Sequence, residues 1–238
     1  MKLSIVIPVY NEEQTVTQIL DYVLKVKLIA DIEKELVIVD DCSKDHTPEM
    51  VRAYMEAHPE AEISYFRQEV NQGKGAAVNR GMHVASGDFI IIQDADLEYD
   101  PEEYNLLLPP LLNNRADVVY GSRYLGGRPH QVMFFWHSIG NRWLTWLSNL
   151  FNNLNLTDME TCYKLFRADI VKRINLKEKR FGFEPEITAK LAKMKDVRIC
   201  EVPISYYGRR FSEGKKIGWR DGFHAIHCII KYKLSKKL

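Results

Sequence analysis

Three acidic residues at alternate positions, Asp94, Asp96 and Glu98, follow directly on the apolar run Phe89-Ile90-Ile91-Ile92. Carboxylates crowded in this way repel one another unless a cation offsets their charge. A hard divalent ion, Mg²⁺ or Mn²⁺, takes oxygen ligands and commonly shares them with substrate phosphates. The spacing therefore fits a metal–diphosphate site. It fits equally a solvated acidic turn ahead of a helix that starts near Pro101. The element carrying the acids bears on the choice. A run of Ile bounded by Gly87 and acids reads as a buried strand of a parallel sheet. Ligands of open α/β sheets bind beyond the carboxyl ends of such strands.

The same design recurs where Val37-Ile38-Val39 runs into Asp40-Asp41. An acid at such a strand end can accept hydrogen bonds from a ribose or a base, or it can close an Asx turn. Asp45, three residues ahead of Pro48, reads as a helix cap. Asn71-Gln72-Gly73-Lys74-Gly75 is a glycine-bearing turn entering a helix. Backbone amides at a helix start suit anions, and Lys74 adds a positive charge. The turn has neither the phosphate-loop nor the dinucleotide-binding spacing, which disfavours both of those nucleotide folds.

The elements that must position these residues alternate along the first half of the chain. Strands are predicted at 3–9, 35–40, 62–66, 88–93 and 117–121, and helices at 12–27, 46–57, 74–85 and 101–113. Regular alternation predicts an α/β fold with a mostly parallel, Rossmann-like sheet and right-handed crossovers. After Gly121 the pattern changes. An aromatic-rich amphipathic stretch covers 132–153, and 158–167 reads as a mixed connector or strand. A helix at 184–195 and a strand at 197–206 follow. A loop at 207–216, rich in Gly, Lys and Arg, leads into a last helix ending near 234. Residues 1–121 and 122–238 are expected to be two functional halves of one catalytic domain.

Charge divides the chain in the same way. Residues 1–119 carry 10 Lys+Arg and 22 Asp+Glu, a net of −12, whereas residues 120–238 carry 23 and 10, a net of +13. The acidic half suits a cation and the basic half an anionic substrate or surface. Basic residues around Phe134, Phe135, Trp136, Trp143, Trp146, Leu150, Trp219, Phe223 and Ile230 describe interfacial helices. A membrane surface is therefore the expected partner, and nucleic acid is not. No run of about 18 apolar residues occurs, so no spanning helix is expected. Met1-Lys2 leads straight into a strand-like segment, too short for a secretory leader. The four cysteines are far apart and form no metal-type pair, which suits a reducing cytosol.

Five segments occur in order: Ile7-Pro8-Val9-Tyr10-Asn11-Glu12, Val39-Asp40-Asp41-Cys42-Ser43, Asn71-Gln72-Gly73-Lys74-Gly75, Asp94-Ala95-Asp96-Leu97-Glu98 and Gly121-Ser122-Arg123. Together they resemble the GT-A glycosyltransferases of family 2, and within them the dolichyl- and undecaprenyl-phosphate sugar synthases. The resemblance covers nearly the whole chain. It implies that Pro8, Tyr10, Glu12 and Asp40 hold the nucleoside of a UDP- or GDP-hexose. It implies that Asp94-Ala95-Asp96 meets the donor diphosphate, with Asp94, Asp96 and Glu98 as metal ligands. Relatives of the mannose type carry Gln where this chain has Glu98. Arg123 is implied as a catalytic phosphate or acceptor contact.

The loop holding Arg209, Lys215 and Lys216 reads as an anion clamp that closes over the diphosphate. Glu160 and Glu184 are acceptor-side candidates, and Glu184 with Glu186 also suits a helix start. The expected reaction is inverting, metal-dependent hexosyl transfer to a polyprenyl phosphate, by a peripheral enzyme at the cytoplasmic face of a membrane. The alternatives are a soluble enzyme acting on a hydroxyl, with Glu160 or Glu184 as base, and a non-catalytic nucleotide-sugar-binding scaffold.

Overall fold

The computed structural model describes residues 1–129, 131–208 and 219–235, with the side chains of 219 and 220 excluded. Arg209, Lys215 and Lys216, and the clamp they were expected to form, lie outside the described residues, as does the side chain of Trp219.

Seven strands form one sheet: β1 (Lys2–Val9), β2 (Glu33–Asp40), β3 (Ile63–Arg67), β4 (Phe89–Ile92), β5 (Val118–Ser122), β6 (Lys164–Arg167) and β7 (Ile199–Pro203). Their order across the sheet is β3-β2-β1-β4-β6-β5-β7. Strand β4 is buried along its whole length, and β1 and β2 nearly so, as their unbroken Val, Ile and Leu content requires of strands covered on both faces. Helix α1 (Val16–Lys25) buries Val16, Ile19, Leu20 and Val23, the i, i+3, i+4, i+7 stripe of an amphipathic helix. Helices α2 (Thr47–Ala57), α3 (Lys74–Val84) and α4 (Tyr104–Leu112) complete the alternating half.

One strand departs from the expected parallel pattern. Strand β6 inserts between β4 and β5 and runs antiparallel to both, pairing Ile91 with Leu165 and Tyr120 with Lys164. Its direction has a consequence for the site. The carboxyl ends of β1, β4, β5 and β7 share one edge of the sheet, and the amino end of β6 lies at that same edge. Residues 157–163, just before β6, are thereby brought beside the acids that follow β4. The two halves of the chain also share this sheet, since β6 and β7 pair with strands of the first half.

The second half adds α5 (Phe135–Asn152), the short α6 (Ala168–Val171), α7 (Phe183–Leu191) and α8 (Trp219–Leu234). Helix α5 is inverted relative to an ordinary surface helix. Its buried residues are the small polar Thr145, Ser148 and Asn152, while Trp136 (79% exposed), Trp146 (57%) and Leu150 (63%) face outward. Phe134 and Phe135 are exposed beside them, and α8 adds exposed Phe223 and Leu234. Among the described residues no helix is long and apolar enough to cross a membrane.

Candidate active site

The sheet edge opens into a cleft of about 1300 Å³. Pro8, Tyr10 and Glu12 from the end of β1 line the cleft, as do Asp41 and Gly73. Asp94, Ala95, Asp96 and Glu98 line its floor, and Arg123, Glu160 and Glu184 line it as well, with Glu184 close enough to Lys74 and Asp94 to feel both charges. The cleft thus gathers the sequence-predicted residues from both halves of the chain, with one correction among those described.

The correction concerns Asp40. Its carboxylate is fully buried and does not line the cleft. It accepts hydrogen bonds from the Ser43 N–H (2.8 Å) and the Tyr65 hydroxyl (2.7 Å), with the Arg67 guanidinium 3.5 Å away. Asp40 therefore closes the turn after β2. The neighbouring Asp41 points the other way and reaches the cleft wall. It accepts from the backbone N–H groups of Gln72 (2.8 Å) and Gly73 (2.6 Å), fixing the glycine-bearing turn. Burial pushes the Asp41 carboxyl above its ordinary value, against the pull of those two N–H groups.

That turn tolerates no side chain. Gly73 has φ +100°, and a Cβ there would lie 2.5 Å from the Lys179 carbonyl oxygen. A Cβ on Gly75 would lie 2.4 Å from the Glu178 carbonyl oxygen. The glycines let α3 start against the segment before α7, which delivers Lys74 to the cleft floor. There its Nζ donates to Asp94 Oδ2 at 2.6 Å. Burial works to lower the Lys74 pKa, but the Asp94 charge prevails and holds it well above the lysine range.

The acids after β4 do not converge. Asp96 Oδ1 accepts from the Glu98 N–H at 3.2 Å, across Leu97 in the left-handed region at φ 61°. Glu98 is drawn toward the end of β7, where its Oε2 accepts from the Tyr206 hydroxyl at 2.8 Å and its carbonyl from the Tyr207 N–H at 3.0 Å. A cation held here would have few protein ligands. That suits Mg²⁺ or Mn²⁺, which bind through one or two carboxylates and complete their shell with water and substrate phosphates. The oxygen donor set fits such an ion. Among the described residues, the one set of three ligand atoms lying within 4.8 Å of one another is elsewhere, at Glu178, His224 and Cys228. Glu178 is already committed there to Lys231 (2.7 Å), Tyr232 (2.7 Å) and His224 (2.9 Å), which clasp α8 to the segment before α7.

Two buried ion pairs back the cleft. Arg123 grips Asp158 bidentately, Nε to Oδ2 at 2.7 Å and Nη2 to Oδ1 at 2.8 Å, and stacks over the Tyr206 ring at 5.1 Å. Asn141 of α5 donates to the same carboxylate at 3.1 Å. Burial alone would raise the Asp158 pKa, but Arg123 brings it below the ordinary carboxylate value. Lys164 at the start of β6 pairs with Glu184 of α7 and lies over the Tyr120 ring. Burial still leaves the Glu184 pKa above its ordinary value. Glu186 faces away from the cleft and binds Lys190 (2.9 Å) and the N–H groups of Lys177 (2.9 Å) and Glu178 (2.7 Å). Glu184 and Glu186 thus hold basic partners rather than only complementing a helix dipole.

Sequence reasoning gave Asp158 and Lys164 no roles, although both lie in the polar segment Thr157-Asp158-Met159-Glu160-Thr161-Cys162-Tyr163-Lys164. The density of polar groups beside apolar ones was the signal; their partners lie 35 residues upstream and 20 downstream. Asp41 was likewise passed over for Asp40.

The sequence model of the family described as glycosyl transferase family 2 matches residues 4–174. The chain is 27% identical over 220 residues to a dolichol-phosphate mannosyltransferase of Pyrococcus furiosus, covering 92% of this chain and 60% of that protein. It is 29% identical over 247 residues to an undecaprenyl-phosphate mannosyltransferase of Micrococcus luteus, covering 100% of this chain and 96% of that protein. This chain therefore spans about three fifths of the first relative's length and nearly all of the second's. Among solved structures, glucosyl-3-phosphoglycerate synthase from Mycobacterium tuberculosis, in complex with Mn²⁺, UDP and glucosyl-3-phosphoglycerate, superposes with a TM-score of 0.73 at 18% identity. That match covers 97% of this chain and 79% of the other, and it establishes the fold as GT-A.

Proposed function

The chain belongs to glycosyl transferase family 2, and on that premise we propose that it transfers a hexose from a nucleoside-diphosphate sugar to a polyprenyl phosphate, with inversion, at the cytoplasmic face of a membrane. The observation that carries this reading is the continuity of the cleft. It runs from the Lys74–Asp94 floor past Arg123 to an apolar mouth at Val132, Met133, Phe134 and Trp136. A substrate with an anionic head and a hydrocarbon tail suits such a cleft.

In this reading residues 1–121 bind the donor and residues 122–238 take the acceptor and the membrane. Pro8, Tyr10 and Glu12 bracket the nucleoside, with Asp41 in the place first given to Asp40. Asp96, with one of Asp94 and Glu98, would hold Mg²⁺ or Mn²⁺, which would supply charge to stabilise the departing diphosphate. Lys74 adds a second positive group at the same floor. The acceptor phosphate is its own nucleophile, because its second pKa of about 6 leaves it largely dianionic at neutral pH. Its oxygen forms a bond to the anomeric carbon as the bond to the diphosphate oxygen breaks on the opposite face. The electron pair leaves with the nucleoside diphosphate. Neither Glu160 nor Glu184 is then required as a base, which fits the engagement of Glu184 by Lys164.

Nucleotide release from a panel of UDP- and GDP-hexoses tests this reading. With Mn²⁺ or Mg²⁺ present, a short prenyl phosphate is expected to stimulate release from one donor at least tenfold. Equal stimulation by simple sugar hydroxyls would instead support a soluble acceptor.

The inverted face of α5 supports the membrane assignment. Burying exposed Trp and Phe side chains at the headgroup boundary stabilises an interfacial helix, and nearby basic residues favour anionic lipid. Vesicles containing anionic lipid are expected to carry the protein upward in a flotation gradient. Replacing Trp136, Trp143 and Trp146 together by Ser is expected to leave it at the bottom with its thermal midpoint little changed.

A further inference from the structure

Among the described residues, two cations near Glu160 are each closed on one carboxylate. Arg123 closes its charge on Asp158, and Lys164 closes its charge on Glu184. Glu160 stands between these pairs and lines the cleft. Its Oε1 is buried and has no hydrogen-bond partner. Glu160 as a whole is half-buried, but this oxygen loses its hydration without compensation, which disfavours the charged form.

We propose that Glu160 works as a neutral carboxylic acid whose O–H donates a hydrogen bond to the phosphate of the acceptor. The assignment rests on the polyprenyl-phosphate reading given above. A dianionic phosphate entering beside Arg123 would be repelled by a third carboxylate, but a protonated one meets it as a donor.

The titration of Glu160 agrees with that role. Burial, then the Glu184 charge, pushes its pKa up to about 8, with Lys164 and Arg123 opposing and Asp158 adding to the rise. A phosphate with a second pKa of about 6 does not take the proton from such an acid. The neutral form therefore prevails below about pH 8 and is lost above it. Arg123 and Asp158 are shifted away from this range, upward and downward respectively. The Glu184 pKa is also raised, so a substitution at Glu160 is needed to assign an alkaline limb.

Calorimetric binding of geranyl phosphate between pH 6.5 and 9.5, with Mn²⁺ and UDP or GDP present, tests the proposal. Wild-type affinity is expected to hold steady to about pH 8 and then weaken about tenfold per unit. Glu160→Gln keeps a donor that cannot ionise, so it is expected to bind as tightly at pH 7 and to lose the alkaline fall. Glu160→Ala is expected to bind about tenfold more weakly at pH 7. A flat wild-type profile, or a Gln variant with an unchanged alkaline fall, overturns the assignment of Glu160 and leaves the acceptor reading standing. Absence of binding by the wild type at every pH overturns the acceptor reading and this assignment together.

Discussion

Replacing Asp96 by Asn is expected to lower sugar transfer by about three orders of magnitude while leaving the fold intact. The carboxylate stands at the carboxyl end of β4, where the family's donor diphosphate is expected, and it belongs to the oxygen set suited to a divalent ion. Asn removes the negative charge that such an ion requires. It keeps the oxygen that accepts from the Glu98 N–H at 3.2 Å, so the turn across Leu97 survives. Asp94→Asn is expected to be milder for cation binding but to release Lys74, whose ammonium rests on Asp94 at 2.6 Å. Initial rates at saturating Mn²⁺, beside thermal denaturation curves, separate the two effects. Loss of rate with an unchanged midpoint is the expected result for Asp96→Asn. Retention of more than a tenth of the rate would remove Asp96 from the metal site.

Asp158→Ala is expected to be the most damaging single change to stability. Asp158 is fully buried, and the Arg123 side chain is only 11% exposed. Removing the carboxylate strands a buried guanidinium, which costs about 3–5 kcal/mol. In a chain of this size that corresponds to a fall of roughly 10 °C in the thermal midpoint. The Asn141 amide and the Arg123 N–H, at 3.1 Å each, lose their acceptor as well. That loosens α5 from the strand edge. A second substitution, Arg123→Met, is expected to recover much of the loss, because it removes the stranded charge. The pH dependence has a definite sign. Burial opposes ionisation of Asp158, but Arg123 and its hydrogen bonds depress the folded-state pKa below the ordinary value. The contribution of the pair is therefore present above the ordinary aspartate pKa of about 4 and is lost as the pH falls through the depressed folded value. Denaturation midpoints of wild type and Asp158→Ala are expected to converge on acidification.

The parts of the fold readable in the sequence are those written in local pattern. Gly87 and the Ile run announced β4, and its acids marked the sheet edge where the cleft opens. The helical stripe of α1 and Pro48 in the first turn of α2 were equally local. Strand β6 was not readable as an antiparallel insertion. Four residues, Lys164–Arg167, carry too short a pattern, and their direction is set by pairing with β4 and β5, far away in the chain. The site followed the same rule. Lys74, Asp94 and Asp96 lie in recognisable segments and line the cleft as expected. The Arg123–Asp158 and Lys164–Glu184 pairs are products of topology, and their partners became visible only once β6 had folded back. At β2 a one-residue ambiguity decided the role: Asp40 turned inward to Tyr65, and Asp41 turned to the cleft. The aromatic content of α5 was plain, but its orientation was not. Only the burial of Thr145, Ser148 and Asn152 shows that the apolar face points outward.

The most direct test of hexosyl transfer to a polyprenyl phosphate is the structure of the product. The protein is incubated with Mn²⁺, its preferred nucleotide-hexose and a short prenyl phosphate, and the organic phase is analysed by mass spectrometry and proton NMR. A glycosyl phosphoprenol of inverted anomeric configuration, lost with Asp96→Asn, is the predicted result. Free hexose, a sugar joined to a hydroxyl, or a product of retained configuration would contradict it.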